Sequence, residues 1–352
     1  MRVRVWCGAM AALALLATGC GGGGSEDPGK AGGSAGDPVR ATDCKGRVTT
    51  FDSTPTKIVT SNAAALELLL RLGVGDKVIG TGFPPGKGAF KGDLDAQARE
   101  VPVLSKAVIP KEKLLGSGAD VFIDAFGPMN MGGAGGLPTD EEFKAAGIKH
   151  ISLKSTACAS TRKKPATDLD AVKADITTFG AVTGKSDRAA ELVAGMERKV
   201  ASVQKAVGKV PVKDRPSYFF FDYDAGTKQP MAICNKQIGN AVITLAGARN
   251  IFADCAGTFR PVGWEDVVAK NPDWIQLAVR NRGSEAETRK AFDDARKWLE
   301  NNPATKELKA VKNGKFLRIG SEETTIAGVG NADTVEEIAN ALYPGKVRAA
   351  EQ

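Results

Sequence analysis

The sequence predicts an α/β protein of two lobes, each built on a parallel sheet, bridged by one long helix and separated by a cleft. Three observations predict it. Short apolar segments alternate with amphipathic ones across glycine turns, the pattern of strand–helix–strand units. A helix-period stripe occupies the middle of the chain. After that stripe the alternation starts again.

In chain order, "KIVTSN" (Lys57–Asn62) reads as a strand, and "AAALELLLRLG" as a helix over Ala63–Gly73 that Gly73 ends with a left-handed cap. "KVIGTG" (Lys77–Gly82) is the next strand. Pro110 opens a helix, because its missing N–H is unpaired in a first turn anyway; the segment then passes a glycine break into an apolar strand ending near Phe126. "DEEFKAAGIKHISL" repeats helix, Gly147, strand. Such strands are buried on both faces and need helices on each side. From Leu169 to Val207, apolar residues including Val172, Ile176, Phe179, Met196, Val200 and Val203 recur at spacings of three and four, one face of a helix. Gly180 and "TGKS" (Thr183–Ser186) interrupt the stripe, which leaves two helices in series as the alternative to one long helix. "TGKS" is no phosphate loop, since it lacks the upstream glycine and follows a helix. "PSYFFFDYD" (Pro216–Asp224) restarts the pattern as a strand, followed by a helix over Asn235–Phe252 and a helix–turn–strand over Gly263–Val279. Helices over Glu285–Asn301 and Pro303–Lys312, the strand "KFLRIG" and a helix over Ala332–Leu342 complete it. The lobes are expected at 39–167 and 208–352, with the bridging helix at 168–207.

The first residues are different in kind. Arg2 and Arg4 precede an apolar run of about a dozen residues, shorter than the ~20 that span a bilayer, and small residues follow. This is the layout of a secretory signal peptide over 1–19. Cys20 stands after Ala17, Thr18 and Gly19, with Leu16 upstream, and this resembles a bacterial lipoprotein site, which implies acylation of Cys20. The glycine-rich stretch 20–38 has almost no apolar surface to bury and reads as a flexible tether. The protein is therefore expected to be exported and lipid-anchored on the outer face of the membrane.

The full chain of 352 residues carries a formal net charge of +7. Loss of the leader lowers that by two arginines. No basic run exceeds "TRKKP" (Thr161–Pro165), so nucleic acid is not expected as a partner. Without Cys7 in the leader and with Cys20 acylated, Cys44, Cys158, Cys234 and Cys255 remain. An even count in an exported chain suggests two disulfides. Four cysteines allow three pairings; Cys44–Cys158 with Cys234–Cys255 is favoured because each bridge stays within one half of the chain. Metal ligation is disfavoured by the absence of C-x-x-C and by a single histidine, His150.

From Thr49 to Tyr343 the sequence resembles the ABC-importer binding proteins that carry ferric siderophores, haem and cobalamin. "LAGARNIFAD" is one marker of that resemblance, and "IPKEKLLGSGADVFI" and "FRPVGWEDVVAKNPDWI" are two others. The resemblance implies that Glu112 and Glu265 dock the two lobes on arginines of a permease, pairs that are geometrically specific. It also implies a monomer that works with a permease and its ATPase, without a cofactor of its own. Ligands in open α/β sheets sit at loops after strand C-termini. Those loops offer Ser61, Asn62, Phe83, Phe126, Met129, Tyr223, Lys228, Phe259, Arg260, Arg280 and Arg282. One histidine is too few for a bare metal ion, and only three tyrosines weaken a haem site. Aromatic walls with a few cations suit a small-molecule metal chelate of the ferric-siderophore kind. Cobalamin, cobinamide and a deazaflavin-cofactor precursor are alternatives; the "DCKG" start (Asp43–Gly46) resembles binders of the last. An exported enzyme is a remote one, because His150 has no nucleophile motif beside it.

Overall fold

The computed structural model describes residues 38–90, 92–127 and 136–347. The leader, Cys20, nearly all of the tether and Met129 lie outside the described residues.

A hairpin of β1 (Val39–Thr42) and β2 (Val48–Phe51) opens the body. The first lobe follows as β3 (Ile58–Thr60), α1 (Ala63–Arg71), β4 (Val78–Thr81), α2 (Asp93–Glu100), α3 (Lys111–Leu115), β5 (Val121–Asp124), α4 (Asp140–Ala145), β6 (Lys149–Ser152) and α5 (Lys154–Ala157). Two helices come next, α6 (Asp170–Val182) and α7 (Ser186–Val207). The second lobe contains β7 (Ser217–Asp222), β8 (Met231–Ile233), α8 (Ile238–Leu245), β9 (Arg249–Asn250), β10 (Phe259–Pro261), α9 (Trp264–Lys270) and β11 (Trp274–Ala278). It ends with α10 (Glu285–Asn301), α11 (Lys309–Lys312), β12 (Phe316–Arg318), α12 (Ser321–Thr325) and α13 (Asn331–Leu342).

The two parallel sheets have one topology. The first runs β4-β3-β5-β6 and the second β9-β7-β11-β12. In both, the chain's first strand has its second strand on one side and its third on the other. The third strand of each is fixed by an aspartate at or just before its start. Asp120 Oδ2 accepts from the Thr56 and Lys57 N–H groups and the Thr56 hydroxyl, at 2.8, 2.9 and 2.9 Å. Asp273 Oδ2 accepts from the Ser217 N–H and hydroxyl, both at 2.8 Å. Burial would raise both carboxyls, but the Thr56 and Lys57 bonds hold Asp120 below its usual range, and Lys309, ahead of the Ser217 bonds, does the same for Asp273.

Strand period sorts the apolar residues. On β7, Tyr218 and Phe220 face α8 and α13, while Phe219 and Phe221 join Trp264 and Leu299 on the other face. The first apolar cluster is continuous from Ile58 and Leu66 of the first lobe through Phe179, Met196 and Val203 to Ile238 and Val335 of the second. The lobes thus share one core.

The stretch 168–207 is two helices, broken where Gly180 and "TGKS" interrupt the stripe, and they do not run on in series as one bridge. Lys173 near the start of α6 pairs with Glu197 of α7 at 3.0 Å, so the two helices fold back on each other. The Thr183 hydroxyl closes α6 by donating to the Phe179 carbonyl at 2.7 Å. α7 reaches both lobes. Its Arg188 donates to the Arg71 carbonyl of the first lobe at 3.0 Å, and its Lys199 pairs with Asp333 of the second.

Two other helices are shorter than their patterns. The one expected over Asn235–Phe252 stops at Leu245, because Arg249–Asn250 pairs with β7 instead. Of Pro303–Lys312 only Lys309–Lys312 is helical; the Thr305 hydroxyl turns back to the Leu299 carbonyl at 2.7 Å. Cys44 is bonded to Cys158 and Cys234 to Cys255. The first bridge ties the β1–β2 hairpin to α5; the second lies buried under the β8–β10 pair.

Candidate functional site

In both sheets the strand order switches direction between the first and third strands, β3 and β5 or β7 and β11. A crevice opens outside the carboxyl ends of such strands. The loops there form the two walls of the candidate site.

The first wall is aromatic. Phe83 and Phe126 meet edge to face with centroids 5.4 Å apart. Phe83 has φ 34°, a left-handed conformation that costs a non-glycine residue. It is held there by the Ala63 N–H, which donates to its carbonyl at 3.1 Å, and by its own N–H on the Ala107 carbonyl at 3.3 Å. Phe126 is set by Asp124, whose two oxygens accept from the Phe126 and Gly127 N–H groups at 2.8 and 3.0 Å. Asp124 is buried, and His150 Nε2 lies 3.3 Å from its Oδ2. His150 is stacked on Phe143 with centroids 4.7 Å apart, which accounts for it as a packed residue of β6.

Ser61 and Asn62 also lie at this wall, but both are buried and hold backbone. The Ser61 hydroxyl oxygen accepts from the Ala125 N–H at 2.8 Å, and Asn62 Oδ1 caps α1 through the Ala65 N–H at 3.1 Å.

The second wall is charged. Asp222 ends β7, Arg280 and Arg282 follow β11, and Glu322 follows β12 in the first turn of α12. Asp224 Oδ2 accepts from the Arg280 N–H at 2.6 Å, and its Oδ1 pairs with the Arg282 guanidinium. Burial pushes the Asp222 and Glu322 carboxyls up, and the charge of Arg280 draws both back down. Asp222, Asp224 and Asn281 were missed by sequence reasoning. The signal available was "DYD" at the end of a strand, two carboxylates at a switch point.

The walls meet at the loops after β4 and β11. Gly86, in the loop after β4, packs so closely on the Asn281 side chain that a Cβ would collide with it. Asn281 is fixed in turn by accepting from the Gly283 N–H at 2.7 Å.

Three of the aligned residues go elsewhere. Tyr223 follows Phe221 on the α10 side of its sheet, with ring centroids 6.0 Å apart, and lines a surface depression of about 420 Å³ with Asp294 and Trp298. Phe259 and Arg260 are successive residues of β10 and so project to opposite faces. Arg260 adds its charge to the hydrogen bond from Lys270 that holds Asp254 below its usual range. Phe259 is 44% exposed, and Lys228, three residues before its partner strand β8, is exposed as well.

Glu112 and Glu265 hold equivalent positions. Each lies in the first turn of the helix that leads into the third strand, α3 or α9, eight residues before Asp120 or Asp273. A crossover helix runs antiparallel to its strands, so both glutamates sit at the strands' carboxyl ends, on the cleft side of their lobes. Both are exposed. Glu265 folds back over Gly263, where any side chain would displace it.

The profile of the periplasmic binding protein family matches residues 112–323. A cobalamin-binding protein of Halobacterium salinarum is 26% identical over 249 residues, which are 69% of this chain and 59% of that protein. The chain thus spans less than two thirds of that relative. An uncharacterized ABC transporter substrate-binding lipoprotein of Bacillus subtilis, YvrC, is 24% identical over 97% of this chain and 98% of its own. Among solved structures, an ABC-type Fe3+-hydroxamate transport system protein from Saccharomonospora viridis superposes with a TM-score of 0.68 at 26% identity, over 87% of this chain and 99% of that one.

Proposed function

This chain belongs to the periplasmic binding protein family, and on that premise we propose that it captures an iron chelate of the ferric-siderophore kind outside the membrane and hands it to an ABC permease. The observation that carries the reading is the meeting of two switch-point walls across Gly86 and Asn281, one aromatic and one charged. Phe83 and Phe126 cover the apolar rim of the chelate, and Arg280 answers its oxygens. A chelate brings its own metal ligands, which agrees with a wall that offers no ring of imidazoles. The share of the Saccharomonospora protein covered supports iron chelates; the Halobacterium relative supports cobalamin as the second reading. Among the described residues no helix is long and apolar enough to cross a membrane. We assign the anchor to acylated Cys20, as in the lipoprotein relative. Binding without turnover is the activity assigned, in line with the transport role of these relatives.

Glu112 and Glu265 are assigned to permease docking. Calorimetric titration with ferric siderophores, cobalamins and haem tests the ligand class; saturable binding of cobalamin alone would select the second reading. Glu112→Lys with Glu265→Lys should leave that affinity unchanged and abolish uptake by cells. Retained uptake would remove the docking assignment. Mass spectrometry of the native N-terminus should find a diacylglyceryl group on Cys20, and an unmodified thiol there would remove the anchor.

A further inference from the structure

We infer that the second wall selects its ligand by charge, admitting a neutral or cationic chelate and disfavouring a polyanionic one. The inference rests on the chelate reading above and names the class of chelate. Two arginines at a cleft would ordinarily attract an anion, but here neither is left to the ligand alone. Asp224 takes the Arg282 guanidinium and the Arg280 backbone N–H, and the charge of the Arg280 guanidinium is shared with Asp222 and Glu322. Asp222 is buried at the end of β7; its Oδ1 accepts from the Asp224 and Ala225 N–H groups at 3.2 and 3.1 Å, and its Oδ2 lies 3.4 Å from the Ser321 hydroxyl. Glu322, one residue further on, is half-buried at the same edge. Three carboxylates therefore face two guanidiniums on adjacent loops after β7, β11 and β12. Lys87, exposed on the facing loop beside Gly86, offsets the third carboxylate, so these six side chains carry no net positive charge.

Closing a low-dielectric cleft over this arrangement magnifies the mismatch with an anion, because charges inside interact more strongly than in water. A trianionic catecholate chelate would meet carboxylates wherever it met an arginine. A neutral trihydroxamate chelate offers oxygens to Arg280 without that repulsion.

The test is the ratio of two affinities measured by calorimetry on the whole protein, ferrichrome (neutral) against ferric enterobactin (a trianion). Enterobactin should bind at least about thirtyfold more weakly. Glu322→Gln should narrow the ratio by about threefold, and Glu322→Gln with Asp224→Asn by about tenfold. Arg280→Gln should move it the other way, which mere loss of structure would not do. Thermal melts check that each variant folds. The same ratio taken with cyanocobalamin against haemin, with its two propionates, reads the preference if the ligand is a corrin. An anion bound equally or better, or ratios that the variants leave unmoved, overturns the charge assignment and leaves the chelate reading standing. Binding of no member of either pair overturns both.

Discussion

The two lobes share a scaffold and differ at the cleft. Strand order, the strand-starting Asp120 and Asp273, and the first-turn Glu112 and Glu265 recur in each. The walls do not recur. The first is made of Phe83 and Phe126 on a loop set by Asp124, the second of Asp222, Asp224, Arg280, Arg282 and Glu322. The difference teaches that topology places the cleft while the loops after the strands decide its chemistry. It also teaches that the parts of a lobe that repeat are those holding backbone.

The bridges give the largest test of that comparison. Cys44–Cys158 closes 114 residues of chain and Cys234–Cys255 closes 21. On chain constraint, replacing the first pair by serine should cost about 4–5 kcal/mol and the second about 3 kcal/mol. Urea unfolding ranks them, and the reverse order would mean that burial of the second bridge outweighs loop length.

Between the two aspartate anchors the second lobe should suffer more. Asp273 is the more buried and carries Lys309 as well. Asp273→Ala should cost about 2–3 kcal/mol and Asp120→Ala about 1–2 kcal/mol. Equal losses, read from thermal melts, would make the repeat energetically as well as geometrically exact in both lobes.

A buried carboxylate behind the first wall behaves in the opposite way with pH. Burial raises Asp175 from the usual 3.8 to about 6, although the Lys154 and Ser155 N–H groups donate to it at 3.0 and 2.8 Å. Between those values the folded protein holds a proton that the unfolded chain has released. Stability therefore falls as pH rises through that window, by up to about 3 kcal/mol. Asp273, held low, contributes stability above its unfolded pKa that is lost as pH falls. Asp175→Asn should flatten the melting temperature between about pH 4 and 6, and Asp273→Asn should flatten it only at lower pH. A profile unchanged by Asp175→Asn would show that this carboxyl stays ionised across the window.

The smallest effect on stability is expected at Phe83. Glycine relieves the φ of 34° but gives up the contact with Phe126, two opposing terms of about 1 kcal/mol each. Phe83→Gly should melt near the parent temperature and bind the ligand found by titration about tenfold more weakly. A stabilised variant with unaltered affinity would move the ligand away from this ring.

Much of the fold was legible because strand period, helix period and glycine turns are local. The strands of both sheets that carry an apolar run and the helix at Glu285–Asn301 could be placed from spacing alone, whereas the two glutamates came from the family resemblance. The β9 strand could not. Arg249–Asn250 has helical surroundings and becomes a strand only through β7. The break between α6 and α7 was visible at Gly180 and Thr183–Ser186, but their fold-back was hidden, since one apolar stripe fits helices in series and a hairpin equally well.

At the cleft the division is sharper. The sequence determined which loops follow strands, and so put Phe83, Phe126, Arg280 and Arg282 on one candidate list. Only the tertiary structure decided what each of them meets. Asp224 claims Arg282, Asn281 closes on Gly86, Tyr223 turns to α10, and the pleat sends Phe259 and Arg260 to opposite faces. The physical reason is that periodicity along a chain fixes which way a side chain leaves its own element, whereas the charge of a site is a sum over neighbours. Those neighbours, at residues 222, 280 and 322, come together only when three strands far apart in the chain lie side by side.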